Sequence, residues 1–148
     1  MSYRNPIEDE LAIRDLIARY TDGVNRFDAD TWAATWAEDG YWNLLGMETR
    51  GRDNIRQFWL GAMGTFKFAL HQVGSGTLDI DGDTASGRWY LTEYTCDQED
   101  NRGMVVGVYD DKYVKVDGSW YFSERRYQTL YMGPADLSGD HQAYANPA

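Results

Sequence analysis

At Phe66 the sequence changes period, and this constrains the fold more than any motif in it. Before that residue, apolar side chains recur at helical spacing. From Phe66 to Tyr131 they alternate in twos and are enriched in β-branched and aromatic types. Asp81-Gly82 and Asp117-Gly118 each separate two alternating runs, and Asp-Gly between such runs is a strong hairpin signal. The reading is strands near 66–80, 84–97, 102–116 and 119–131, joined as an antiparallel meander. Glycines isolated inside these runs, Gly74, Gly76, Gly87 and Gly107, predict bulges or bends that curl the sheet.

The first third is helical in pattern. Asn5 is placed to cap, Pro6 suits the first helical position, and Glu8 stands where a capping box has its acid. Ile7, Leu11, Ile13, Leu16, Ile17, Tyr20, Val24 and Phe27 then mark one helix face. Asp28 is expected to cap a second, shorter helix carrying Trp32 and Trp36 one turn apart, both in the core, with Gly40 ending it. Tyr41 to Leu45 reads as a short strand, and Gly51-Arg52-Asp53 leads into a third helix through Ile55, Phe58, Trp59 and Met63. Three helices followed by a long meander predict an α+β fold, a cone-shaped curved antiparallel sheet packed with three N-terminal helices around a cavity. Residues 1–132 are expected to form a single domain and 133–148 an irregular tail, either draped over the cavity mouth or frayed.

Composition excludes several function classes. In 148 residues there are six Trp, eleven Tyr and five Phe, too much apolar area for a disordered chain. A net charge of −10 repels phosphate backbones and anionic lipid, so neither nucleic acid nor membrane is an expected partner. The segment MSYRNPIEDE lacks the basic-then-apolar order of a signal peptide, and Cys96 is the one cysteine; both fit a cytoplasmic location. Two histidines far apart and one cysteine offer no metal-ligand spacing. No phosphate loop or nucleophile motif is present, so no cofactor is expected. The acidic pairs Asp81/Asp83 and Asp110/Asp111 read as solvated charge at turns.

His71 carries the chemical interest. By alternation, Ala69, Val73 and Ser75 share its face, and a polar ring among small neighbours fits a cavity wall. A histidine satisfied inside the core is the bland alternative, and His141 in the polar tail reads as exposed and without a role. An imidazole titrates near neutral pH, which suits proton transfer without a cofactor. Asp22, Asn25 and Asp28 at the end of the first helix are candidates to hold its second nitrogen, and the pattern does not choose among them.

The order Ala12-Ile-Arg-Asp-Leu-Ile-Ala-Arg-Tyr20, Val24-Asn-Arg-Phe-Asp28, Trp36-Ala-Glu-Asp39, His71 and Asp117-Gly-Ser-Trp120 with Arg125 resembles the SnoaL-like branch of the nuclear-transport-factor-2-like superfamily. The likeness spans about residues 7–131. Within it, the group of scytalone dehydratase, bile-acid 7α-dehydratase and hexachlorocyclohexane dehydrochlorinase is most similar in pattern, and its members carry out cofactor-free eliminations. The resemblance implies that His71 is the base, that Tyr20 donates a hydrogen bond to a developing oxyanion or departing hydroxyl, and that Arg125 is a pocket arginine. Arg125 would stabilise the leaving group or anchor an anionic substrate end, its bland alternative being a surface ion pair with Glu124 or a neighbour. The helix-1 aspartate of the family falls on Asn25, which is expected to accept a hydrogen bond from the His71 ring, with Asp22 as a stand-in. Trp42, Met47, Phe68 and Tyr90 would line an apolar pocket for a polyketide-, aromatic- or steroid-like ring compound. The implied activity is a dehydratase-like lyase. The alternatives are a non-catalytic ligand-binding module, a ring-hydroxylating dioxygenase β-type subunit, or an isomerase or cyclase. Family members commonly self-associate through the outer sheet face, which implies a homo-dimer or homo-trimer.

Overall fold

The structure, a computed structural model, describes residues 4–147. The chain runs α1 (Ile7–Asn25), α2 (Ala29–Ala33), β1 (Trp36–Leu44), β2 (Met47–Arg50), α3 (Arg52–Met63), β3 (Phe66–Asp81), β4 (Thr84–Asp97), β5 (Arg102–Val116), β6 (Ser119–Gly133) and β7 (Asp140–His141). The strands form one curved, unclosed sheet in the order β2-β1-β6-β5-β4-β3, with β7 paired to β6. The α+β cone with three helices on its inner face is thus the architecture expected. Every strand pairing is antiparallel except β1 with β6, which is parallel. No helix among the described residues is long and apolar enough to cross a membrane.

Both hairpins sit at the two Asp-Gly pairs, with different turns. Asp117 and Gly118 are the two central residues of the β5–β6 turn, at φ 50° and 83°, as a mirror-type turn requires. In the β3–β4 turn Asp81 still pairs with Thr84, so Gly82, at φ 61°, takes the first central place.

The amino-terminal elements depart from the sequence reading in instructive ways. Pro6, not Asn5, occupies the N-cap of α1 and makes no side-chain cap. Asn5 is engaged elsewhere. Its Nδ2 donates to the Leu78 carbonyl at 2.9 Å and its Oδ1 accepts from the Ile80 amide at 3.1 Å, so it fastens the helix start to β3. Ile7 and Leu11 are exposed, and the buried stripe begins at Ile13. Asp28 caps α2 as expected, accepting from the Thr31 amide at 3.0 Å. That helix is one turn only. Trp36 opens β1 rather than ending a helix, because the chain must drop into the sheet to lie alongside Phe122 of β6. Trp32 and Trp36 nonetheless meet in the core with ring centres 5.9 Å apart, and Trp32 stacks on Trp59 of α3 at 4.7 Å.

Two of the four irregularities in the meander lie at expected glycines: β3 carries one extra residue between Val73 and Gly76, and opposite Val106–Gly107 of β5 the extra residue is Leu130 of β6. The other two, at Phe66–Phe68 and Lys112–Tyr113, involve no glycine, and Gly87 pairs in regular register with Leu78. Gly76 is needed for close approach: a Cβ there would stand 2.4 Å from the Trp89 ring and 2.5 Å from the Arg88 carbonyl. Gly76→Ala is therefore expected to destabilise the protein by about 1–3 kcal/mol through overpacking, read as a lowered urea midpoint with an unchanged slope.

Candidate active site

His71 lies on β3, 4% exposed, opposite Glu93 of β4. Its backbone amide and carbonyl are not spent on β4. The amide donates to Asn25 Oδ1 at 2.6 Å, and the carbonyl accepts from Asn25 Nδ2 at 2.9 Å. A residue whose main-chain groups point away from the neighbouring strand forms a non-hydrogen-bonded cross-strand pair, the kind in which side chains stand closest. His71 Nδ1 accordingly meets Glu93 Oε2 at 2.8 Å. The other ring nitrogen, Nε2, is buried with no partner among the described residues.

This corrects the expected role of Asn25, which clamps the His71 main chain and does not touch the ring. It also explains why an amide stands there. Each of its two bonds needs the opposite polarity, and a carboxylate cannot donate to a carbonyl. Asp22 points to solvent and pairs with Arg26, so it is no substitute. Glu93 went unnoticed in the sequence because the β3 bulge shifts the register. Counting back from Asp81↔Thr84 without it places Tyr94 opposite His71; with it, Glu93.

Tyr20 of α1 projects into the same cavity beside Tyr109 of β5, with their hydroxyls 3.4 Å apart. Trp42 Nε1 donates to the Tyr109 hydroxyl at 3.2 Å. Tyr20 and His71 have ring centres 5.9 Å apart. Burial pushes both phenols above the ordinary tyrosine range, most strongly Tyr109, with Arg125 opposing the rise in each. Both therefore stay protonated as hydrogen-bond donors at neutral pH.

Arg125 does not line the cavity. It lies one layer beneath, 1% exposed, with its guanidinium carbon 4.4 Å from the Tyr20 ring centre, 3.8 Å from Tyr109 and 4.2 Å from Phe122. It is paired with Asp111 of β5 through Nε at 2.7 Å and Nη2 at 3.1 Å. The expected direct grip on a substrate, and equally a surface pair with Glu124, give way to a buried ion pair. The reading of Asp110/Asp111 as solvated turn charge is corrected with it, since Asp111 sits within β5 and is buried. Tyr113 donates to Asp111 at 2.7 Å and accepts from Trp89 Nε1 at 2.9 Å, so the carboxylate is anchored on two sides.

The cavity has a volume of about 620 Å³. Tyr20, His71, Glu93 and Tyr109 face it among Trp42, Phe58, Trp59, Met63, Leu91 and Met104. Asp97, Asn101, Arg102 and Pro134 also line it. Met47 lines it from β2 while half exposed. Phe68 and Tyr90 do not. At 50% and 42% exposed they lie on the outer face of the sheet, because Phe68 has the opposite parity to Ala69 and His71, and Tyr90 the opposite parity to Leu91 and Glu93. Ser75 is exposed as well, the bulge having broken the alternation. Beyond β6, Gln142 bonds the main chain of Leu130 and Thr129, and the Tyr144 hydroxyl rests on Asp110 of the outer face. The side chain of His141 lies outside the described residues. No three His, Cys, Asp or Glu side chains gather to hold a metal ion among the described residues.

Comparison with known proteins gives a consistent picture. The family described as SnoaL-like domain matches residues 5–126. A candidate aromatic ring hydroxylase from Novosphingobium aromaticivorans is 26% identical and superposes with a TM-score of 0.82, covering 90% of this chain and 98% of that one. A candidate scytalone dehydratase from the same organism is 24% identical, TM-score 0.80, over 95% and 93% of the two chains. A hexachlorocyclohexane dehydrochlorinase from Novosphingobium barchaimii is 21% identical, TM-score 0.77, over 94% and 97%. The last two likenesses bear on the fold.

Two variants test this geometry. Asn25→Asp, which installs the acid of the family pattern, is expected to cost about 1–3 kcal/mol, because it faces the His71 carbonyl without a donor. Asp111→Ala is expected to cost about 3–5 kcal/mol by leaving Arg125 buried and unpaired. Both are read by urea denaturation.

Proposed function

The chain belongs to the SnoaL-like domain family, and we propose that it is a cofactor-independent lyase of the dehydratase type acting on a small, cyclic, hydrophobic substrate. One observation carries the reading: an imidazole in the wall of an apolar cavity, with Nδ1 held by a carboxylate and Nε2 buried and unpartnered. With Glu93 accepting from Nδ1–H, the lone pair of Nε2 is directed away from Glu93 and is available to a substrate proton. His71 Nε2 removes a proton from a carbon acidified by a neighbouring carbonyl, and Glu93 stabilises the imidazolium that forms. Tyr20 donates to the carbonyl oxygen as it gains negative charge. The electron pair left on carbon then forms the new double bond and expels hydroxide from the adjacent carbon. That hydroxide takes the proton back from the imidazolium and leaves as water, which restores the base.

Trp42 and Met47 belong to the substrate pocket in this reading, Asn25 positions the base through the main chain, and Arg125 acts from outside the cavity. Assembly as a dimer or trimer through the outer sheet face, where Phe68, Tyr90 and Tyr94 are exposed, belongs to the same proposal and is read by light scattering. A second reading, a subunit of a ring-hydroxylating oxygenase, draws support from the likeness to the candidate aromatic ring hydroxylase; it requires a large partner that copurifies.

The test is proton exchange. Hydroxylated cyclic ketones incubated with the protein in deuterated buffer are expected to exchange the proton next to the carbonyl and to lose water, both followed by NMR. His71→Gln is expected to lower the rate by about 10²–10⁴. Glu93→Gln, which leaves His71 without its charged partner, is expected to lower it by a factor approaching 10⁴, the cost of the analogous change in a serine-protease triad. Exchange that survives His71→Gln undiminished overturns the assignment of the base.

A further inference from the structure

Arg125 and Tyr109 present a feature that the elimination scheme leaves unused. A guanidinium is buried among three aromatic rings, and two of those rings, Tyr20 and Tyr109, belong to residues that line the cavity and carry hydroxyls 3.4 Å apart. We propose that Tyr20 and Tyr109 together form a two-donor site for an oxyanion, with Arg125 acting through their rings as its positive counter-charge. This rests on the lyase reading and deepens it, because it assigns the oxygen end of the substrate to a second catalytic hydroxyl and gives Arg125 a positioning role.

The geometry supports a shared site. Two hydroxyl oxygens 3.4 Å apart can both lie at ordinary hydrogen-bond length, about 2.7 Å, from a single oxygen placed between them. Trp42 Nε1 donates to the Tyr109 oxygen, which occupies a lone pair and leaves the phenolic proton as the group Tyr109 has to give. Burial keeps both phenols protonated. Their charge neighbours come from every side: Arg125 beneath on β6, Asp111 paired with it on β5, and His71 and Glu93 across the cavity on β3 and β4. Arg125 is the cation in direct contact with the rings. A cation against an aromatic face draws density from the ring and makes its hydroxyl a stronger donor, and the low-dielectric surroundings preserve the effect. Asp111 offsets the charge overall, but it approaches the guanidinium through Nε and Nη2, while the planar face remains against the tyrosines.

This arrangement favours a neutral carbonyl compound that becomes an enolate over a substrate that enters as a carboxylate. The guanidinium cannot form a direct ion pair with a carboxylate from beneath the floor, and Glu93 repels one from across the cavity.

The test reads binding, not turnover. Nitrophenols, whose phenolate form has its own visible absorbance, serve as oxyanion probes, and the protein used is His71→Gln, so that the imidazole supplies no proton. Binding is expected to raise the phenolate-to-phenol ratio at least tenfold over that in the same buffer. Tyr109→Phe and Tyr20→Phe are each expected to lose most of that preference. Arg125→Met alone leaves Asp111 buried and uncompensated, so it is paired with Asp111→Leu, which removes both charges. The pair is expected to lose the preference while near-ultraviolet circular dichroism shows an intact core, whereas a merely structural Arg125 would leave the spectrum of the bound probe unmoved. Failure to take up the phenolate form, or a preference indifferent to Tyr109→Phe, overturns the proposal. Carbon-acid exchange by the wild type separates the two readings: exchange without phenolate preference removes only this inference, and phenolate preference without exchange removes only the base.

Discussion

Much of the fold depends on how the free edge of β3 is satisfied. β3 ends the sheet order, and an edge strand exposes a row of main-chain donors and acceptors that invite another strand. Here two asparagines, Asn5 just before α1 and Asn25 at its end, each use the side-chain amide as a piece of strand: Asn5 bonds Leu78 and Ile80, and Asn25 bonds His71 in both directions. The helix is thereby fixed against the inner face of the curved sheet. The stripe from Ile13 to Val24 is pressed onto Trp32, Trp36 and Phe122, and Tyr20 is held where it meets both the His71 ring and Tyr109.

The second constraint is the charge in the core. Asp111 and Arg125 lie where an apolar pair of the same volume would be at least as stabilising, so their presence asks for a further reason. Removing either alone leaves a buried ion, and the pair is in contact with much of its surroundings: Tyr113 bonds Asp111, Trp89 bonds Tyr113, and the rings of Tyr20, Tyr109 and Phe122 lie against the guanidinium. Three strands and one helix meet in that cluster, and it forms the floor on which the cavity rests.

The elements of this fold are legible in the sequence wherever local chemistry decides them. The change of period at Phe66, the two Asp-Gly pairs, the bulge at Gly74–Gly76 and the Asp28 cap each act within a few residues, and each is found in place. What sequence pattern misreads is decided at long range. Trp36 has a helical neighbour in Trp32 but a strand partner in Phe122, and the strand partner prevails. Asn5 and Pro6 carry the signature of a helix start, yet a main-chain edge more than seventy residues away claims the asparagine. In the site, His71 is legible by type and phase, Tyr20 through the family resemblance, and Trp42 and Met47 by apolarity. Phe68 is apolar too, but alternation from His71 places it outside; Tyr90 is placed outside only once the β3 bulge is known, since the unbulged register puts Tyr94, of the same parity, opposite His71. Glu93 was hidden by a single extra residue in β3, and Tyr109 by standing in a run of tyrosines and valines with no mark of its own.

The exchange of roles between Asn25 and Glu93 has a physical consequence for how the His71 ring is held. An aspartate on α1 would orient the imidazole from the helix, so that its tautomer would depend on how the helix docks. Here the helix fixes only the main chain, through an amide that must both donate and accept, and the ring is oriented by a residue of the neighbouring strand. Its orientation therefore follows the β3–β4 register, which the Val73–Gly76 bulge sets and the contact of Gly76 with the Trp89 ring enforces. A strand register is discrete: a shift of one residue turns Glu93 to the opposite face and brings Tyr94 in. The His71 ring is therefore either in register with its carboxylate or facing Tyr94 instead.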